Sequence, residues 1–287
     1  MKRYQLWTIT SLILLCATLT ACDPNKMVNK FFTDLGLNRL AILRTDIKPG
    51  AVILANAKST MYAGNISKYV QGVASKDSSD SASSFDAVIP KYTANQGIDA
   101  SASLKFLDSV LPLSLSGSLK LNGTVSLDQI SATVQRLEPD DIQAILNDSQ
   151  KSGALQAKLQ DKWDANSDIY IAYETYAAKK FSLKTTSDTN IAPDIEVGQT
   201  KLVSSGSAKF TITHSSTYEL TVDSETPYVF AIRAAKVEPR GGSWRLSIMA
   251  PPPNFGVGVK AAADQYSAFI DRDSGPIALA DRANGLD

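Results

Sequence analysis

The chain has 287 residues, of which 29 are basic, 29 are acidic and one is histidine, so its formal net charge at neutral pH is zero. This balance gives no long-range attraction for nucleic acid. The sequence has no P-loop, no GxGxxG after a strand, no HExxH and no GxSxG motif, so it predicts no enzyme, no cofactor and no metal site.

The first residues carry the pattern of an export signal. Lys2 and Arg3 give a positive start, an apolar run from Ile9 to Ala17 follows, and Leu19-Thr20-Ala21-Cys22 ends it. The run has the length of a signal-peptide core and is shorter than the roughly 20 residues of a spanning helix. It resembles a bacterial lipobox, which implies a signal peptide over residues 1–21 and lipidation of Cys22. An ordinary cleaved signal with a chance cysteine at the junction is the alternative.

The predicted cleavage would change the charge and the cysteines of the chain. Loss of residues 1–21 removes two of the 29 basic residues, which leaves 27 against 29 acidic ones. It also removes Cys16, so with Cys22 lipidated no disulfide can form. A mature bacterial lipoprotein carries at least two acyl chains, which suffice for stable anchoring. Asp23 resembles the sorting signal for retention in the inner membrane, so we expect the protein on the exported side of the bacterial cell membrane.

A short amphipathic helix is predicted behind this anchor, from Pro24 to Leu35. Apolar side chains recur there at helical spacing: Met27, Val28, Phe31, Phe32 and Leu35. Gly36 is a plausible end of the helix. Its apolar face can either rest on the bilayer or pack on the domain, and the second reading is favoured.

Two strands and a polar loop are predicted next. Leu40–Leu43 and Ala51–Leu54 flank a turn, Asp46–Gly50, in which proline and glycine favour the reversal of the chain. The segment Lys76–Ser84 is polar and of low complexity, so it predicts a mobile loop.

The clearest structural pattern lies between Leu113 and Val134, where apolar residues alternate with small polar ones on both sides of Asn122-Gly123. This pair favours a tight two-residue turn, so the pattern predicts a long β-hairpin. A slip of phase between Leu127 and Ile130 predicts a β-bulge. In a membrane the apolar residues would face lipid, and in a soluble sheet, which is far commoner, they would face a core. The candidate membrane-inserting positions are Leu113, Leu115, Leu119, Leu121, Val125 and Leu127.

Two helices are predicted after the hairpin. Glu138-Pro139-Asp140-Asp141 opens the first, since proline suits the first turn and carboxylates suit the positive end of the helix. Adjacent carboxylates diverge on a helix, so Asp140 and Asp141 are interpreted as stabilising the helix rather than catalysing a reaction. The apolar stripe is Ile142, Ile145 and Leu146, and the second helix runs roughly over Ala154–Trp163.

The rest of the chain is predicted to be mostly strand. The strands are Ile169–Leu183, Ala208–His214, Thr217–Val222, Tyr228–Val237 and Trp244–Met249, with a turn at Pro239–Gly242. Tyr170, Tyr173 and Tyr176 are interpreted as packed strand aromatics rather than a ligand platform. His214, the sole histidine, is interpreted as a strand residue rather than a catalytic base. Val259–Ile270 predicts a short helix, and Gly275–Asp287 a loose tail.

These elements predict an α+β fold, namely a mostly antiparallel twisted sheet with a long amphipathic hairpin and a few short helices. Four segments are expected along the chain: the signal peptide, 1–21; the lipidated N-terminus with its short amphipathic helix, 22–34; a single α+β domain, 35–250; and a C-terminal helix and tail, 251–287.

The order of elements resembles that of the bacterial gasdermins, which are pore formers. Leu35–Leu40 leads into Arg44–Pro49, long amphipathic strands and an acidic helix start follow, and Glu225–Ile232 looks like a closing core strand. The resemblance implies a twisted central sheet whose strands lengthen into a membrane after a C-terminal segment is cut away. Those proteins act from the cytoplasm without an export signal, which differs from this sequence.

Two functions remain open at this point. The first is a lipid-anchored, non-enzymatic binding or interaction module with an unknown partner in the cell envelope. The alternative is a gasdermin-like membrane pore-forming protein, homo-oligomeric and controlled by its C-terminal segment. Membrane lipid, through Cys22, is the one partner that both functions share, and neither calls for nucleic acid.

Overall fold

The computed structural model describes residues 30–56, 59–69, 82–98, 123–186, 209–214, 217–247, 268–270 and 279–280. They form one sheet of twelve strands, with two complete α-helices, the end of a further helix at residues 30–34, and a short 3₁₀ turn, Ile66–Tyr69. The strands are β1 (Asn38–Arg44), β2 (Ala51–Ala55), β3 (Thr60–Asn65), β4 (Ser83–Ile89), β5 (Tyr92–Ile98), β6 (Gly123–Leu127), β7 (Ile130–Arg136), β8 (Asp168–Thr186), β9 (Lys209–His214), β10 (Thr217–Arg240), β11 (Ser243–Leu246) and β12 (Leu279–Ala280). The helices are α1 (Pro139–Asn147) and α2 (Ser149–Asp164). The predicted α+β class is confirmed.

Two long strands organise the sheet. β8 has 19 residues and β10 has 24, and they pair antiparallel along most of their length. The other edge of β8 carries β2, β7 and β6 in succession. The outer neighbours of β7 and β6 are β4 and β5, whereas β1, β9 and β11 pair with β10.

Both faces of the central strands are buried, each in its own cluster of apolar side chains. Side chains alternate between the faces of a strand, and Ile169, Ile171 and Tyr173 of β8 accordingly pack under α1 and α2. Tyr170 and Ala172 point to the opposite face. Tyr170, Tyr173 and Tyr176 of β8 are buried, which confirms their interpretation as packed strand aromatics.

The N-terminal turn, residues 30–34, ends as predicted at Gly36, whose φ is 73°. The Leu37 N–H donates to the Phe32 carbonyl and the Gly36 N–H to the Thr33 carbonyl, a pair of bonds typical of a helix end at glycine. The Phe31 ring stacks on Tyr92 at 4.7 Å, and the Phe32 ring meets Phe230 edge-on at 6.1 Å. The described part of this helix therefore packs on the domain.

The two helices predicted between β7 and β8 are present as α1 and α2. Pro139 occupies the first turn of α1, Asp140 and Asp141 are exposed there, and Ile142 and Leu146 are buried. The helix α2 begins five residues before the predicted Ala154. The Trp163 ring meets Trp244 edge-on at 6.2 Å, so α2 packs on the end of the sheet.

Several predicted boundaries are wrong because backbone pairing across the sheet outweighs local composition. Ser83 and Ser84, predicted as loop, belong to β4 and pair with β7. The predicted strands Thr217–Val222 and Tyr228–Val237 are one strand, β10. The end of the predicted helix Val259–Ile270 is not helical, since Ala268 forms an antiparallel bridge with Ala234. In the predicted loose tail, Leu279–Ala280 forms β12, parallel to β3.

The predicted hairpin is only partly within the described residues, because Leu113–Asn122 lie outside them. Its returning arm is present as β6 and β7, which Asp128 and Gln129 separate. The predicted β-bulge is wrong, because two residues intervene on each strand between the pairs Ile89–Ile130 and Tyr92–Leu127. The partners of β6 differ from the prediction, since β5 lies on one edge and β8 on the other.

We expect Gly50→Ala to lower the free energy of unfolding by about 1–3 kcal/mol. Gly50 closes the predicted turn with φ 86°, and a Cβ there would stand 2.9 Å from Asn65 Oδ1 and 3.0 Å from Ile66 Cγ1. The matched control is Gly153→Ala in α2, where no atom lies within 4 Å of the new Cβ. That variant should gain about 0.4–1 kcal/mol. Urea unfolding measures both, and equal effects of the two variants would contradict the role of Gly50.

Candidate functional site

The C-terminal segment is attached to β1 by the side chain of Asn38. Its Nδ2 donates to the Ala268 carbonyl at 3.0 Å, and its Oδ1 accepts from the Ile270 N–H at 3.0 Å. A single buried amide thus pairs with two backbone groups of this segment, as a neighbouring strand would. The Ala268 N–H also donates to the Ala234 carbonyl at 2.7 Å, so β1 and β10 hold the segment together.

A second attachment lies at the other end of β1, where Arg44 Nη1 donates to the Leu279 carbonyl at 3.3 Å. Asp46 holds this guanidinium through bonds to its Nε and Nη2, at 2.8 and 2.7 Å. Burial alone would raise the pKa of Asp46, but the hydrogen bond and charge of Arg44 outweigh it and leave that pKa below its usual value. Asp46 is therefore ionised at neutral pH and orients Arg44 towards the segment.

We call this set of contacts the C-terminal latch: Asn38 and Arg44 on β1, with residues 268–270 and 279–280. Ala268 and Leu279 are buried in the same apolar cluster as Leu40 and Ile232. The polar part of the latch rests on a few hydrogen bonds, each with a net contribution of about 0.5–1.5 kcal/mol, or about 1.5–3 kcal/mol where a charge takes part. Contacts of this size hold a segment in place and still allow it to be released.

Some of the described strands are amphipathic. In β7, Ile130, Ala132 and Val134 are buried, whereas Ser131 and Thr133 are exposed. The adjacent strand β4 exposes two large apolar side chains, Phe85 at 44% and Val88 at 53%. Within the described ranges β4 pairs with β7 alone, so β4 is an edge strand of the described sheet.

A buried ion network crosses the three strands β7, β8 and β10. Glu174 accepts from Arg136 at 3.2 Å and from Arg233 at 3.1 Å, and the Tyr176 hydroxyl donates to it at 2.6 Å. Burial, with the Glu174 carboxylate beside it, raises the pKa of Tyr176, so this phenol stays a donor. Arg233 also donates to the Leu35 carbonyl at 3.3 Å, which joins the N-terminal turn to the network.

The predicted site residues fall mostly outside the described part of the chain. This applies to Cys22 and Asp23, and to the leucines of the outgoing hairpin arm, Leu113, Leu115, Leu119 and Leu121. Val125 and Leu127 lie in β6, and Leu127 is buried. His214 is the last residue of β9, as the strand prediction required. Among the described residues, no group of three or more His, Cys, Asp or Glu side chains could hold a metal ion.

Sequence reasoning missed Asn38, Arg44, Glu174 and Arg233. The contacts of Asn38 and Arg44 reach more than two hundred residues along the chain, and no spacing within the sequence reports such a pairing. In the part of the chain that the structure describes, no helix is long and apolar enough to cross a membrane.

A sequence model described as the Bacterial Gasdermin Family matches residues 40–243, which is most of the chain. The chain belongs to the bacterial gasdermin family. A solved structure titled "Structure of a bacterial gasdermin from Bradyrhizobium tropiciagri" is similar to it, with 12% sequence identity, 78% of this chain and 91% of that chain covered, and a TM-score of 0.45. No curated protein matches this gasdermin at a significant level.

The matched range of this gasdermin begins in β1 and ends at the first residue of β11. It contains the long strands and both helices, and it confirms the resemblance seen in the sequence. The C-terminal half of the latch, residues 268–270 and 279–280, lies beyond the matched range.

Proposed function

We propose that this gasdermin permeabilises membranes by inserting its long amphipathic strands, and that the C-terminal segment holds it inactive until the segment is released. Family membership favours this function over the envelope-binding module. The observation that carries the proposal is the C-terminal latch, because it fastens a separate piece of chain across β1, β10 and β3 of the sheet that would have to rearrange.

The attachment points explain how the segment would restrain the sheet. Asn38 and Arg44 stand at opposite ends of β1, and β12 adds a strand beyond β3. The segment therefore contacts strands on both sides of the central pair: β1 beside β10, and β3 on the side of β8. Release would expose the apolar surface that Ala268 and Leu279 now cover, and it would free the edge of β3.

Several copies would be needed to enclose a pore, and the sheet offers an edge for their association. The outer edge of β4, with exposed Phe85 and Val88 beside it, suits pairing with another copy of the chain. Lipidation at Cys22 would keep the protein on the exported side of the cell membrane. The copies of the chain would therefore meet one another at high local concentration on that membrane.

The test is dye release from liposomes of mixed neutral and anionic phospholipids. A site for a specific protease is placed within residues 251–267 of the full chain, and the purified protein is added before and after cutting. We expect the uncut protein to release little dye and the cut protein to release most of it. If the cut protein, still folded by circular dichroism, releases no dye, the pore-forming function is wrong.

We also expect Asn38→Ala to raise the dye release of the uncut protein by about tenfold. The substitution removes two hydrogen bonds to the segment, together worth roughly 1–3 kcal/mol, and tenfold corresponds to about 1.4 kcal/mol. The control is Asn56→Ala, because the exposed Asn56 amide accepts from the Ser59 N–H and hydroxyl within its own turn and does not touch the latch. Equal release by the two variants would show that the latch does not restrain the protein.

A further inference from the structure

The N-terminal turn and the C-terminal segment are fastened to neighbouring points of the sheet. On β10, Arg233 Nη2 donates to the Leu35 carbonyl at 3.3 Å. The next residue, Ala234, accepts through its carbonyl from the Ala268 N–H at 2.7 Å. On β1, Asn38 follows three residues after Leu35, and its amide holds the C-terminal segment. The N-terminal turn and the C-terminal latch therefore meet where β1 begins.

The N-terminal turn docks mainly through two aromatic side chains. Phe32 is 3% exposed, and its ring meets Phe230 of β10 edge-on at 6.1 Å. The Phe31 ring stacks at 4.7 Å on Tyr92, the first residue of β5. Full burial of one such side chain contributes about 1.5–3 kcal/mol, so the turn holds to the sheet about as firmly as the polar bonds of the latch hold the segment. The turn also connects β10 with β5, which are not paired in the described sheet.

The backbone between the turn and Asn38 is fixed at successive residues. The Gly36 N–H donates to the Thr33 carbonyl and the Leu37 N–H to the Phe32 carbonyl, both at 2.9 Å. The Leu37 side chain is 2% exposed, so it is packed on all sides. Asn38 thus follows directly on a buried and hydrogen-bonded helix end, and its backbone keeps its place while Phe32 stays docked.

The bonds of Asn38 to the segment depend on that place. They join its amide to the Ala268 carbonyl and the Ile270 N–H at 3.0 Å each, and N–H···O bonds in proteins span only about 2.7–3.2 Å. The register of β1 with β10 shifts between Arg39 and Arg44. Regular backbone pairing on both sides of Asn38 is therefore missing, and undocking of the turn moves its amide away from the segment.

Arg233 fixes the end of the turn from the sheet. Its side chain is 3% exposed, and its Nη1 pairs with the Glu174 carboxylate at 3.1 Å. A buried guanidinium stays with its carboxylate, because separation leaves an uncompensated charge. The bond from Arg233 to the Leu35 carbonyl therefore ties the turn to a firmly held part of β10. Arg233 is a positioning residue, and Asn38 is the link from the turn to the C-terminal segment.

We infer that the C-terminal latch and the N-terminal turn form one coupled lock. Residues 268–270 hold Asn38, Asn38 and Arg233 hold the turn, and the turn holds β5 through the stack of Phe31 on Tyr92. Coupling between two sites is reciprocal, so undocking of the turn weakens the latch, and release of the segment loosens the turn. Removal of the segment is thereby transmitted to β5, which pairs with β6 in the described sheet and not with the strands that the segment contacts. This inference rests on the proposed function, in which release of the segment precedes permeabilisation.

Hydrogen–deuterium exchange with peptide mass spectrometry tests the lock in the full, cleavable chain. Phe31→Ala removes the stack on Tyr92 and leaves every bond of the latch in place, whereas Phe31→Tyr keeps the ring. Trp163→Ala is the matched control, because this partly buried ring of α2 makes an edge-on contact with Trp244 of β11 at 6.2 Å. Exchange is followed at residues 268–270, at the turn and in α1, and dye release is measured beside it.

In the uncut protein we expect Phe31→Ala to speed exchange at residues 268–270 at least about fivefold, with Phe31→Tyr and Trp163→Ala leaving it unchanged. Cutting the protein without substitutions should speed exchange at residues 30–37 by a similar factor and leave residues 139–147 of α1 unchanged. If Phe31→Ala loosens only the turn, or speeds exchange in α1 as much as at residues 268–270, the coupled lock is wrong.

The same measurements separate the lock from the pore. Loosening of the turn by cutting, without dye release, would support the lock and contradict the pore. Dye release with exchange at the turn unchanged by cutting would overturn the lock and leave the pore standing. If cutting changes neither the exchange at the turn nor the dye release, both are wrong.

Discussion

Glu174→Ala is expected to lower the free energy of unfolding by about 3–5 kcal/mol, a large share of the stability of an ordinary domain. Glu174 is 1% exposed and faces two arginine side chains, and Arg233 is 3% exposed. Removal of this carboxylate leaves Arg233 with an uncompensated buried charge, which costs more than the ion pair itself contributes.

Asp168→Ala is the matched control for this prediction. Asp168 lies on the same strand and pairs with Lys236 at 3.0 Å, but its side chain is 50% exposed. An exposed ion pair contributes about 0–1 kcal/mol, so this variant should unfold at nearly the original urea concentration. Glu174→Gln, which keeps the shape of the side chain, should fall between the two. A Glu174→Ala protein as stable as Asp168→Ala would show that the network does not hold the strands.

The parts of the fold that the sequence predicts well are those whose cause is local. Pro139 with two following carboxylates marks the start of α1, and the turn at Gly241 and Gly242 shows the positive φ that two glycines permit. The long β8 is predicted because apolar and aromatic residues fill both of its faces. In each case a few neighbouring residues carry the physical reason for the structure.

The missed parts depend on partners that are distant along the chain. Leu279–Ala280 has a short and unremarkable sequence, and it becomes a strand only because the edge of β3 offers unpaired backbone groups. The same holds for Val125 and Leu127, whose alternation predicts a strand correctly but does not say that β5 is the neighbour. Strand patterns report which face is buried, and the order of strands follows from contacts that the pattern does not contain.

The latch shows the same limit at the level of function. Asn38 and Arg44 lie within a stretch that carried the family resemblance, yet no local rule assigns them a role in holding residues 268–270 and 279–280. Their importance follows from burial, since a buried amide or guanidinium must find partners wherever the fold provides them.

Cys22→Ala is expected to abolish lipidation completely and to leave the precursor uncut at this site. The reason is chemical, because the lipobox reading makes the Cys22 thiol the sole acceptor of the diacylglycerol group, and cutting follows that modification. Metabolic labelling with a palmitate analogue measures the lipid, and the mass of the protein shows whether residues 1–21 remain.

Cys16→Ala is the matched control, since Cys16 lies in the apolar run of the same predicted signal and should be removed with it. This variant should carry label at the original level and have the original mature mass. Two acyl chains give stable membrane attachment where one gives only marginal binding, so the labelled protein should sediment with membranes after a salt wash. A Cys22→Ala protein that is still labelled and membrane-bound would refute the lipobox assignment, as would loss of label in Cys16→Ala. Either result would leave the proposed pore formation untouched, because the dye-release test with purified protein does not depend on lipidation of Cys22.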